Sequence, residues 1–136
     1  MQPPKPVLYF AHPVNVYDTE LEQALLKRIA ERFPHADILN PNAPEHDAGY
    51  KAKGMAYFLE DILPGCDTCA VLAFRDGKIP AGVYAEAEKL HERCCPVWEI
   101  LPDGTFKTWA PNPGRCLTVD ETRTRIRNPD KSRKPY

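Results

Sequence analysis

Short apolar runs, each halted by proline or a polar turn, alternate along this chain with segments of helical period. That alternation restricts the possible folds more than any other feature. Residues 7–11 form a brief apolar run that stops at His12-Pro13, as a buried central strand does on entering a loop. Asp18 and Thr19 can cap a helix, Thr19 with Glu22 makes a capping box, and Leu21, Leu25 and Ile29 repeat at helical spacing until Pro34. Residues 36–40, bounded by Pro34 and Pro41, read as a second strand. A second helix starts near Tyr50, places Met55, Phe58, Leu59 and Ile62 on one face, and stops at Pro64-Gly65. Residues 68–74 are an uninterrupted apolar run of strand length, turned by Arg75-Asp76-Gly77-Lys78. Good helix formers fill residues 82–93, and strand character returns over residues 95–101. Pro102-Asp103-Gly104 then predicts a terminal hairpin with residues 105–109, and Thr118 with Glu121 caps a last short helix.

Strand and helix thus alternate, the pattern of a three-layer α/β protein whose mostly parallel sheet is covered by helices on both faces. In such open sheets ligands sit outside the carboxyl ends of the strands, so the loops after Ala11, Asn40, Phe74 and Ile100 should converge on one crevice. A chain of 136 residues fits one domain, expected over residues 1–128, with residues 129–136 as a mobile basic tail. Lys and Arg number 18 against 19 Asp and Glu, a balance that argues against a dedicated nucleic-acid binder. No run approaches transmembrane length, and Pro3, Pro4 and Pro6 precede an apolar stretch too brief for an export signal. Five cysteines, an odd count, then predict reduced thiols in a cytoplasmic setting.

Two stretches carry candidate chemistry. Tyr9-Phe10-Ala11-His12-Pro13 brings an aromatic hydroxyl and an imidazole to the expected crevice, where Tyr9 could bond a carboxylate or a sugar oxygen; the alternative is a core tyrosine and a turn histidine. Asp76-Gly77-Lys78-Ile79-Pro80-Ala81-Gly82-Val83-Tyr84-Ala85-Glu86 sets Glu86 one turn into a helix, whose positive end favours an ionised, nucleophilic carboxylate, while Gly82 lets backbone and substrate approach. The alternative places Glu86 and Glu88 on a solvated helix face with Lys89, Glu92 and Arg93.

Read together, Tyr9-Phe10-Ala11, the Cys66-Asp67 lead into the third strand, and Gly82-x-x-x-Glu86 resemble the nucleoside 2-deoxyribosyltransferase family over roughly residues 7–100. The resemblance implies a flavodoxin-like sheet and cleavage of an N-glycosidic bond in a nucleoside or nucleotide, by transfer or hydrolysis. It makes Glu86 the nucleophile and Tyr9 its orienting partner, with Asp61 and Asp76 the best-placed acids for the departing base. Phe10, His12, Gly82 and Tyr84 are expected to line the substrate, with His12, where the chain departs from the family, free to read a phosphate or base. It also implies a homo-oligomer, with Tyr84, Trp98 or Trp109 at its contacts, and no cofactor. The sequence departs from the family at Ile79-Pro80-Ala81, where an acidic residue is common, and at His12-Pro13, where smaller residues are. A catalytically inactive nucleotide-binding module of the same fold is the alternative, and a protein-interaction domain a third.

Cys66-x-x-Cys69 and Cys94-Cys95 suit a zinc knuckle only partly, because Cys69 falls within a strand, so no metal is expected. His35, His46 and His91 lack paired metal spacing and read as surface residues.

Overall fold

A computed structural model describes residues 4–136; Pro3 lies outside them. The chain is α/β, with a five-stranded sheet in the order β2-β1-β3-β4-β5. The strands are β1 (Val7–Ala11), β2 (Asp37–Leu39), β3 (Thr68–Val71), β4 (Val97–Ile100) and β5 (Phe106–Thr108). The first four pair in parallel, with Tyr9 opposite Leu39 on one side and Cys69 on the other. β5 returns antiparallel to β4 through the turn at Gly104, whose φ of 88° demands glycine. The described residues also form four α-helices: α1 (Glu20–Arg32), α2 (Asp47–Lys53), α3 (Ala81–Glu92) and α4 (Val119–Ile126).

The central strands are apolar on both sides because both sides are buried. Leu8, Phe10, Ala70 and Leu72 pack with Leu25 and Ile29 of α1, whereas Tyr9, Ala11, Cys69 and Val71 pack with Val83, Ala87 and Leu90 of α3. One position along β1 therefore decides which of two cores a side chain enters.

The expected caps are formed unequally. Thr118 and Glu121 make a complete reciprocal box at α4. At α1, Thr19 accepts from the Glu22 amide, but the Glu22 carboxylate turns instead to His12 and Asn42. The expected second helix is interrupted. α2 ends at Gly54, which takes φ 61° and donates its N–H to Tyr50, and a π-helical turn, Tyr57–Ile62, follows. The Tyr57 ring lies against Gly49, where an added Cβ would come within 2.2 Å of it, so any side chain there would displace the ring.

The segment expected to be a mobile tail runs back over the carboxyl ends of β1 and β3. Asn15 Nδ2 donates to the Lys134 carbonyl at 2.9 Å, Arg133 donates to the Tyr17 carbonyl at 2.5 Å, and the Tyr136 hydroxyl donates to the Ala73 carbonyl. A clamp of another kind fixes the residues ahead of α4. Arg115 donates bidentately to the buried Glu99 of β4, both bonds 2.8 Å, and its Nε donates to the Gly77 carbonyl.

Candidate functional site

The inner stripe of α3 is Val83, Glu86, Ala87 and Leu90, all buried, and this 3.6-residue period carries a carboxylate into the core. Glu86 is 4% exposed and Tyr9, at the centre of β1, is wholly buried. The Tyr9 hydroxyl donates to Glu86 Oε2. Two motifs separated by most of the expected domain thus meet at one hydrogen bond.

The sequence favours an ionised Glu86, held so by the helix end. Burial reverses this, pushing its carboxyl up to about 8 against the Tyr9 hydrogen bond, which acts to lower it. The physical reason is position. Glu86 is the sixth residue of α3, beyond the first turn where the helix end acts, and removal from water disfavours the charged form far more strongly. Burial, then the Glu86 charge, hold the Tyr9 phenol well above its ordinary value, so it stays a donor. The buried Cys69 thiol is raised by the same two causes in the same order. Tyr17 joins this group: burial and then Glu86 raise its phenol, while Arg133 of the returning C-terminal segment acts to lower it. Only its place in the loop after β1 marks Tyr17 in the sequence, where no motif singles it out.

The remaining expected site residues lie elsewhere. Phe10 enters the α1 core, stacked on His12 with ring centroids 4.0 Å apart. His12 is buried, with Nδ1 donating to the Phe10 carbonyl and Nε2 against Glu22 Oε2, each at 2.8 Å. Both ring nitrogens are thereby engaged within the protein. Asn42 completes this network by donating to both Glu22 oxygens and to Asp18. Gly82 admits Met55, whose Cε would lie 3.0 Å from an added Cβ, so the close neighbour there is a methionine. Tyr84 and Trp109 are buried against each other, edge to face at 5.6 Å. Asp61 is exposed and paired with Lys53 at 2.9 Å. Asp76 is exposed and paired with Arg125 at 2.6 Å, which with the Lys78 amide bond holds its carboxyl down at about 2. Of the eight expected residues, the structure joins Tyr9 and Glu86 directly.

His46, expected at the surface, is buried and bonded through Nδ1 to the Tyr57 hydroxyl at 2.9 Å. The five thiols are free, and among the described residues no three His, Cys, Asp or Glu side chains are grouped to hold a metal ion. Among the described residues no helix is long and apolar enough to cross a membrane. Two shallow clefts open on the surface, one of about 410 Å³ beside Cys94, Cys95 and Trp109, the other of about 480 Å³ beside Arg75, Arg125 and Tyr136; neither is lined by Glu86 or Tyr9. The chain matches no protein-family model and no curated protein.

Proposed function

We propose that the protein cleaves the N-glycosidic bond of a nucleoside or nucleotide, as 2-deoxyribosyl transfer or hydrolysis, with Glu86 as nucleophile and Tyr9 as its orienting partner. The observation that supports this reading is the buried Tyr9–Glu86 hydrogen bond. A glutamate on a helix and a phenol on the neighbouring central strand is the pair needed to hold one carboxylate oxygen while the other attacks. In the reaction, an ionised Glu86 oxygen bonds to the anomeric carbon as the carbon–nitrogen bond breaks, its electron pair leaving with the base. The glycosyl ester is then taken by a second base or by water, returning the carboxylate. Because Glu86 holds a proton up to about pH 8, kcat/KM should climb as it ionises. The finer architecture that accompanies this reading is a three-layer, flavodoxin-like domain over residues 1–128. A C-terminal hairpin, homo-oligomeric assembly and a cytoplasmic setting complete it.

The test is chromatographic detection of free base after the protein meets a panel of nucleosides and 5′-nucleotides, beside Glu86→Gln. Release that vanishes in the variant supports the proposal; no release from any substrate sinks it.

A second reading is favoured by a specific observation. Asp61 and Asp76 are each exposed and tied to a cation, so neither acid proposed for the departing base stands beside Glu86. A catalytically inactive nucleotide-binding module needs no such acid. It would be stabilised against heat by a nucleotide yet release no base.

A further inference from the structure

The cleft of about 480 Å³ lies where the loop after β3 meets α4 and the C-terminal segment. Its lining includes Arg75, Arg125 and Lys134 against a single side-chain carboxylate, Asp76. In a chain whose formal net charge is −1, that is a local reversal of sign in a concave place. Asp76 offsets one cation, pairing with Arg125 at 2.6 Å. Neither Arg75 nor Lys134 has an ion-pair partner among the described residues.

The two guanidinium groups are placed by aromatic rings. Arg75 lies 4.6 Å from the Tyr136 ring centroid and Arg125 lies 5.2 Å from that of Phe74. Tyr136 is itself fixed, its hydroxyl donating to the Ala73 carbonyl. A guanidinium held against a ring loses less freedom on binding than a free side chain, and its planar fork of N–H donors suits a tetrahedral oxyanion. Lys134, half-buried, adds a third cation to the same lining. The cleft also sits at the carboxyl edge of a parallel strand, where ligands of open α/β sheets are bound.

We infer that Arg75, Arg125 and Lys134 form a binding site for a phosphate group carried by a small molecule, in the cleft between the β3 loop and the C-terminal segment. The site does not depend on the glycosidic reading, since neither Glu86 nor Tyr9 lines it.

Titration calorimetry of the full chain with inorganic pyrophosphate at low salt tests the inference. Binding is expected, with affinity at least tenfold weaker in Arg75→Ala and in Lys134→Ala and unchanged melting temperature in both. Lys131→Ala, on the same segment but outside the cleft lining, should leave affinity unchanged, as should Glu86→Gln. No binding by the unaltered protein would overturn the site, and so would equal losses in Arg75→Ala and Lys131→Ala, which mark nonspecific charge attraction. Pyrophosphate binding without base release from any nucleoside would leave this site standing while removing the proposed reaction.

Discussion

The phenol of Tyr9, in the middle of β1, donates to the carboxylate of Glu86, on the inner stripe of α3, and both side chains are shut away from water. A carboxyl group in this position behaves less like a surface acid than like a stored proton, and its titration should govern how the protein responds to pH.

The folded chain keeps the Glu86 proton up to about pH 8, whereas the unfolded chain releases it near the ordinary value of 4.5. The folded state therefore binds more protons between these values, and this contribution to stability is complete below 4.5 and lost as pH rises through about 8. The fall should approach about 1.4 kcal/mol per pH unit within the window. Glu86→Gln, which stays neutral, should flatten that part of the curve; denaturant melts of both proteins across pH measure it, and parallel curves would contradict the assignment.

Tyr9→Phe removes the one hydrogen bond that favours the ionised form. The Glu86 midpoint should move further up, which carbon NMR of the side-chain carboxyl reads directly. If Glu86 is the nucleophile, the rising limb of kcat/KM moves up in pH with it. An unmoved midpoint would mean that the phenol does not act on the carboxylate.

Glu22 is the opposite case. Burial acts to raise its carboxyl, but hydrogen bonds from His12 and Asn42 outweigh burial and the net shift is downward. That stability is present above the ordinary value of 4.5 and is lost as pH falls through the lower folded value. Glu22→Ala should cost roughly 1–3 kcal/mol near neutrality by leaving buried partners unpaired, and denaturant melts should show its stability falling less steeply than the unaltered protein's as pH drops below 4.5.

Arg115 ends a long connection by forking onto Glu99, which is only 3% exposed. Arg115→Ala leaves that carboxylate only the 3.9 Å contact with Lys107 and should destabilise by about 3 kcal/mol. The double variant Arg115→Ala/Glu99→Gln should recover part of the loss. Chemical denaturation distinguishes these outcomes, and a cost below about 1 kcal/mol would show that the pair behaves like an exposed one.

The bounds of β1 and the box at Thr118 were readable from residues 7–11 and 118–121 alone, because both signals are local: an apolar run stopped by proline, and a hydroxyl three residues before a glutamate. The burial of Glu86 was not legible in this way, because the apolar positions Val83, Ala87 and Leu90 share their helix with Glu88, Lys89 and Glu92, which fit a solvated face. Gly54 concealed its effect, since one left-handed residue in a periodic stretch ends a helix that periodicity alone would continue.

What sequence by itself determined was the alternation of elements, and hence a mostly parallel sheet with Tyr9 on a central strand and Glu86 on the third helix. Tertiary structure decided the rest, through contacts between residues far apart in the chain. It brought the His12 imidazole onto the Glu22 carboxylate, spent Asp61 and Asp76 on cations, and laid residues 133–136 across the carboxyl ends of the strands. The physical reason is that propensity and period act within a few residues, whereas desolvation and charge pairing depend on which distant groups the fold brings together. For Glu86, that difference separates an ionised surface acid from a neutral buried one.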